Sequence, residues 1–173
     1  PPMPRSAQPH LSHLSDQRHV PRVNLAAFTA VALSIALLLT VRLSADQTSA
    51  SAWLNRDRRT AHLAALGSHD AAARKAQAWA EHLASLPYTG GEPTLSHSRL
   101  TDGFKEVCYR GIGENVGTVE APLGLSGMER SFMASTIHRT NILNKKWNRV
   151  GTGVARTKDK RWIIEVQVFV TSC

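Results

Sequence analysis

The sequence predicts an α+β fold, and three observations lead there. Apolar residues recur at helical spacing in the first half of the domain, at Ala72, Ala76, Trp79, Ala80 and Leu83. Near the end, Trp162, Ile164, Val166, Val168 and Val170 alternate with Ile163, Glu165, Gln167 and Phe169, the period of two that marks a strand. Helices come first and strands last, with no β-α-β repeat between them, which separates α+β from α/β.

The elements follow in chain order. Residues 1–22 are rich in Pro, His, Ser and Arg and poor in apolar side chains, the composition of a disordered tail. Val23 to Val41 form 19 positions without a charge, bounded by Arg22 and Arg42. That is close to the length a helix needs to cross a bilayer. Residues 23–43 are therefore read as a transmembrane signal anchor. Arg5, Arg18 and Arg22 precede it against a single Asp16, which places the tail in the cytoplasm and the C-terminal domain outside. Cleavage after Ala45 or Ala52, where small residues cluster, is the alternative, and would give a secreted protein.

Residues 44–51 read as a polar linker and residues 52–173 as the extracytoplasmic domain. A first helix is expected from Ala52 to Leu66, with Trp53, Leu54, Ala61, Ala64 and Ala65 inward and Gly67 as its stop. A second is expected from Ala71 to Ser85, capped by Ser68 and ended by Pro87. Thr89 to Pro93 is a loop by its turn residues. The Gly111-Ile-Gly-Glu-Asn-Val116 stretch carries glycines that argue for close backbone approach. A third helix spans Leu123 to Met133, with Leu125, Met128, Phe132 and Met133 inward, and a shorter one Ile137 to Leu143. Val150 to Thr157 and Trp162 to Val170 form a hairpin around Lys158-Asp159-Lys160. The first face of the last strand is apolar and suited to packing on helices. The second is mixed and borders the expected site.

The chain has 173 residues and a formal charge of +8, of which +5 lies in residues 46–173, from 17 Lys and Arg against 12 Asp and Glu. Such a balance favours anionic surfaces in general. The charges are scattered, however, and only Arg56 to Arg59, Lys145-Lys146 and Lys158 to Arg161 cluster. No basic–aromatic stripe accompanies them, which argues against nucleic acid as a partner. Cys108 and Cys173 are an even pair beyond the membrane segment and read as one disulfide joining the chain's end to the Gly-Glu-Asn-Val segment. The alternative is two free thiols in a reducing compartment.

Three segments carry the chemistry: Leu95-Ser-His-Ser98, Gly113-Glu-Asn-Val116 and Ser135-Thr-Ile-His-Arg-Thr-Asn-Ile-Leu143. With Leu54-Asn55-Arg56 ahead of them, and Val150-Gly-Thr-Gly-Val154 and Gln167-Val-Phe169 behind, they stand in a recognisable order. The region from Trp53 to Phe169 resembles the CAP superfamily (cysteine-rich secretory proteins, antigen five and pathogenesis-related proteins). The resemblance is closest to its bacterial branch of SCP-like extracellular proteins.

The resemblance implies a three-layer α-β-α sandwich, with a cleft lined by two histidines and two acidic residues. His97, Glu114 and His138 fall on three of those positions. The fourth falls at Ser135, counting from Phe132, so the acidic member is missing; Glu129 fills it only in a different register. Two imidazoles and a carboxylate can hold a divalent ion such as zinc with room for water. Glu114 would be either a ligand or the partner that orients an imidazole. The bland counterpart is a hydrogen-bonded cluster that orders loops.

Ser96, Ser98 and Ser135 lie near the motif histidines in sequence, but a Ser–His nucleophile also needs an oriented base and an oxyanion site, and neither is legible. Cys108 as a nucleophile is weaker still, because the disulfide reading consumes it. Asn115 and Asn141 are expected to bond backbone, Arg139 to turn away from His138 by about 100°, and the tryptophans to be core, with Trp147 the most exposed.

Three functions are compatible with these residues. The first is a cell-envelope binding module for a lipid, a wall component or a protein. The second is a metal-dependent hydrolase built on His97, Glu114 and His138. The third is a structural subunit of a membrane complex held by residues 23–43.

Overall fold

A computed structural model of the protein describes residues 45–105 and 107–173. The expected tail and membrane span, residues 1–22 and 23–43, lie outside them. Among the described residues no helix is long and apolar enough to cross a membrane.

The element order is α1 (45–60), β1 (Gly67–Ser68), α2 (Asp70–Ser85), β2 (Tyr109–Glu120), a 3-10 turn (Ala121–Leu123), α3 (Gly124–Ala134), α4 (Thr136–Ile142), β3 (Arg149–Arg156) and β4 (Trp162–Ser172). The strands form one sheet in the order β1-β3-β4-β2. β4 is central, antiparallel to both β3 and β2, and the short β1 runs parallel to β3. β2 is an edge strand, and at its start Cys108 is joined to Cys173 at the end of β4, Cα to Cα 5.5 Å. The expected disulfide is present.

The alternation along β4 sorts its side chains to two cores. Ile164, Val166, Val168 and Val170 meet Ala72, Ala76, Ala80 and Leu83 of α2. Ile163 and Phe169 face the other way, onto Leu54 of α1, Met128 and Phe132 of α3 and Ile142 of α4. Helices therefore cover both faces of the sheet, as expected. Both faces of β4 are buried, including Glu165 and Gln167 on the mixed one.

The Gly151-Thr-Gly153 motif of β3 explains how closely α2 lies on the sheet. A Cβ on Gly151 would sit 2.0 Å from the Ala73 backbone nitrogen, and one on Gly153 would sit 2.2 Å from the Ala76 carbonyl carbon. The helix answers with alanines at the contact, so backbone packs almost on backbone.

Several sequence expectations need correction. The first helix was expected over 52–66 but covers 45–60, so residues 45–51, read as linker, are helical. Its end comes early because His62 adopts a left-handed conformation, φ 56°, and turns the chain. Ala61, Ala64 and Ala65 are consequently exposed. Asn55 then clasps the returning strand through Nδ2 to the Leu66 carbonyl, 3.0 Å, and from the Leu66 N–H to Oδ1, 2.8 Å.

Ser68 does not cap α2, because it pairs with Val150 in the sheet. His69 does so instead, its Nδ1 accepting from the Ala72 N–H at 3.2 Å. The Gly-Ile-Gly-Glu-Asn-Val stretch is the middle of a 12-residue strand, which its glycines disguised. They do serve close approach, since the Trp147 ring lies over Gly111 and Gly113 and Phe132 over Gly117.

Candidate functional site

β2 carries the centre of the site. Consecutive strand residues point to opposite faces, so Glu114 and Val116 face α2 while Asn115 faces α3 and α4. The two side chains of one dipeptide thus anchor two different segments.

On the α2 side Glu114 is almost wholly buried, with only 1% of its side chain exposed. Its Oε1 accepts from the Ser98 backbone N–H at 2.9 Å and faces His97 Nδ1 at 2.9 Å. Its Oε2 accepts from the Ser98 hydroxyl at 2.5 Å. A carboxylate accepts, so the Nδ1 proton points to Glu114 and Nε2 points away. The imidazole itself is 65% exposed. Glu114 therefore clamps the loop around His97, and the strong hydrogen bonds of a buried carboxylate supply the hold.

On the other side Asn115 is fully buried. Its Nδ2 donates to the His138 carbonyl and to Gln167 Oε1, both at 3.1 Å, and its Oδ1 accepts from Asn141 Nδ2 at 2.9 Å. Asn141 also donates to the Glu114 carbonyl at 3.3 Å. Asn115 and Asn141 thus bond backbone, as expected, and each other as well. They fix α4 on the sheet edge and set His138 there. Its half-buried ring meets Phe132 edge to face, centroids 5.0 Å apart. Burial lowers the His138 pKa below the ordinary histidine value, and the nearby His97 lowers it further.

Of the motif's apolar frame, Ile142 is buried and Ile137 is 77% exposed. Arg139 is exposed, turned away as expected. Ser135 sits between α3 and α4 as the N-cap residue of α4, without a side-chain cap bond. Trp147 is half-buried and stacks on Phe169.

Glu129 lies elsewhere, in the buried continuation of the Asn115 chain. Gln167 Nε2 donates both to Glu129 Oε2 at 3.1 Å and to Glu165 Oε1 at 2.9 Å. Burial pushes the Glu129 pKa up to about 7 and the Glu165 pKa up to about 8. Sequence reasoning missed this pair, although two glutamates in otherwise apolar surroundings on Phe132's helix and on the last strand were the available signal.

Arg58 was also missed. It was grouped with a surface basic cluster, but it is 2% exposed and its guanidinium donates to the carbonyls of Ala64, Ile142 and Asn144 at 2.9, 2.6 and 3.0 Å.

The structure thus joins His97 to Glu114 directly and brings His138 to the same strand through Asn115. Among the described residues no three His, Cys, Asp or Glu side chains come together as a metal-binding set. The carboxylate is hydrogen-bonded to the His97 imidazole. Glu114 is engaged by Ser98 and His97, so these side chains do not make up a three-ligand set here.

Beside this cluster an open groove of about 700 Å³ runs between α2 and the loop from His97 to Gly103. Ala71, Ala78 and Trp79 form its apolar part, and His97 stands at its rim. The loop is pinned along the groove by Trp79 Nε1 donating to the Ser96 carbonyl at 2.8 Å and Lys75 Nζ donating to the Arg99 carbonyl at 2.5 Å.

Residues 52–172 match the family model of the cysteine-rich secretory protein, or CAP, family. The chain belongs to that family. Among solved structures it is similar to an outer surface protein of Borrelia burgdorferi, with a TM-score of 0.59 and 16% identity over 74% of this chain and 93% of that one. It is also similar to a cysteine-rich secretory protein of Staphylococcus aureus, with a TM-score of 0.59 and 21% identity over 75% of this chain and 39% of that one. A third is an extracellular protein of Bacillus anthracis containing an SCP domain, with a TM-score of 0.54 and 19% identity over 74% of this chain and 41% of that one. The chain thus spans about two fifths of the staphylococcal and Bacillus proteins. No curated protein matches it in sequence.

Proposed function

We propose that this CAP domain works outside the cytoplasm, at the cell envelope, as a binding module for a lipid, a wall component or a protein partner. In this reading residues 23–43 anchor it to the membrane. The observation that carries it is the full engagement of Glu114: both oxygens are taken by Ser98 and His97. A carboxylate so buried and so engaged holds a loop in place, since its side chain is only 1% exposed. The loop it holds is one wall of the groove. The surface and extracellular character named for the similar structures supports the location.

The test compares full-length wild type with Ser98→Ala and His97→Ala. Binding of fractionated envelope lipids and wall material is measured beside hydrolysis of ester, phosphodiester and peptide substrates. The binding reading expects retention by wild type, weakening in Ser98→Ala and no turnover. Turnover abolished by His97→Ala would replace it with an enzyme.

A second reading has one observation in its favour, the hydrogen bond of Glu114 to His97 on the strand whose Asn115 also holds the His138 backbone. Two imidazoles in mutual range can hold a divalent ion such as zinc, with Glu114 orienting one of them. Metal analysis of wild type, His97→Ala and His138→Ala decides it. Stoichiometric metal lost in both variants is the expected result of this reading; metal content equal in all three sinks it.

A further inference from the structure

The groove beside His97 has a charge pattern of its own. Arg74 and Lys75 reach it from α2 and Arg99 from the facing loop; among the described residues Asp102 brings a carboxylate to the lining, and Glu114 lies in electrostatic range of Lys75. Arg74 and Arg99 are exposed, and among the described residues neither guanidinium pairs with a carboxylate. Lys75 is half-buried, and its ammonium is already fixed to the Arg99 carbonyl. That bond ties α2 to the loop and so holds the two arginine-bearing walls together. The lining also includes the small residues Ala71, Ala78 and Gly103 and the ring of Trp79. The Trp79 ring is stacked on His82, centroids 4.7 Å apart, and tethered to the Ser96 carbonyl.

Planar guanidinium groups on opposite walls are suited to the oxygens of a phosphate, which they grip through paired hydrogen bonds. The apolar part of the lining accommodates carbon rather than a second charge. The volume, about 700 Å³, is that of a small-ligand site and far exceeds a bare phosphate.

We infer that this groove binds a phosphate ester of a small polyol, with Arg74 and Arg99 on the phosphate and Ala71, Ala78 and Trp79 against the carbon body. The chemistry is shared by an anionic phospholipid headgroup and a soluble glycerol phosphate. The inference rests on the binding-module reading and names the ligand class for that groove.

The experiment uses the full-length chain as wild type, as Arg74→Gln/Arg99→Gln, and as Lys145→Gln/Lys146→Gln, which removes an equal charge from a surface loop remote in sequence from the groove. Each is titrated by calorimetry with glycerol 3-phosphate and with inorganic phosphate. Each is also tested for flotation with phosphatidylglycerol and with phosphatidylcholine vesicles. Thermal melts show whether each variant is folded; both arginines are exposed and should tolerate replacement.

The expected result is binding of glycerol 3-phosphate or of phosphatidylglycerol vesicles that falls at least about tenfold in the arginine variant, since charged hydrogen bonds are lost. The lysine variant should stay within about twofold of wild type, as expected for a rim charge remote from the ligand. Binding of the soluble ester identifies a free ligand, and binding of vesicles alone identifies a headgroup. Equal loss in both variants, no loss in the arginine variant, or no binding of either probe overturns the inference. If envelope material still binds wild type while both probes fail, the ligand class is wrong and the binding module stands. If nothing binds, both fall.

Discussion

Arg58 and Glu114 are opposite charges buried by the same rule. Each sits inside with three hydrogen bonds to nearby groups, the guanidinium to three carbonyls and the carboxylate to an amide, a hydroxyl and an imidazole. Burial lowers the Arg58 pKa. Its three carbonyl partners come from the turn after α1, from α4 and from the segment after it, so one side chain ties the first helix to the site region. Arg58→Ala would strand these carbonyls, and each buried unsatisfied group costs about 1–3 kcal/mol. The expected loss is about 3 kcal/mol of unfolding free energy, read from denaturant titration. A loss below about 1 kcal/mol would mean that water replaces the guanidinium.

α2 and β3 meet through absence of side chain. Gly151 and Gly153 have no room for a Cβ, because the atoms in the way are helix backbone and cannot swing aside. Gly153→Ala must therefore push α2 off the sheet. Overpacking of this kind costs about 1–3 kcal/mol, and the upper end is expected here. α2 is also one wall of the groove, so the same substitution should weaken groove binding as well as lower the melting temperature. Ligand binding unchanged alongside a lowered melting temperature would show that the wall moves as a rigid unit. α4 illustrates a different dependence. It is a 7-residue helix, too short to persist alone, and it is held by Ile142 in the core and by the Asn115–Asn141 bonds to β2.

The molecule as a whole should respond to pH through Glu129 and Glu165. Unfolded, both carboxyls ionise near 4.5; folded, burial raises them to about 7 and about 8. Between those values the native state keeps protons that the unfolded chain has released. Stability is then unaffected by these groups below about pH 4.5 and falls as pH rises from there toward 8. His138 acts in the other direction, because its folded pKa lies below the unfolded value and its contribution is lost as pH falls through that range. The two glutamates should dominate. Melting temperature is expected to be several degrees higher at pH 5.5 than at pH 8, and Glu165→Gln should flatten that slope. A melting temperature that rises from pH 5.5 to pH 8 would contradict the assignment.

The α+β class, the hairpin and α2 were readable because each rests on local pattern or on motifs in a fixed order. Period two in β4 and helical spacing in α2 need nothing beyond the residues themselves. The cysteine pair was readable from number and placement. The orientation of Glu114 was not, because its partner Ser98 is fixed only when the loop folds back onto β2. Arg58 and the Glu129–Gln167–Glu165 chain were hidden for a similar reason. Charged residues are read as surface by default, and only packing reveals which of them are enclosed. The groove also belongs to the tertiary structure. Arg74 and Arg99 lie 25 positions apart in sequence, and only the docking of the His97 loop against α2 places them on facing walls.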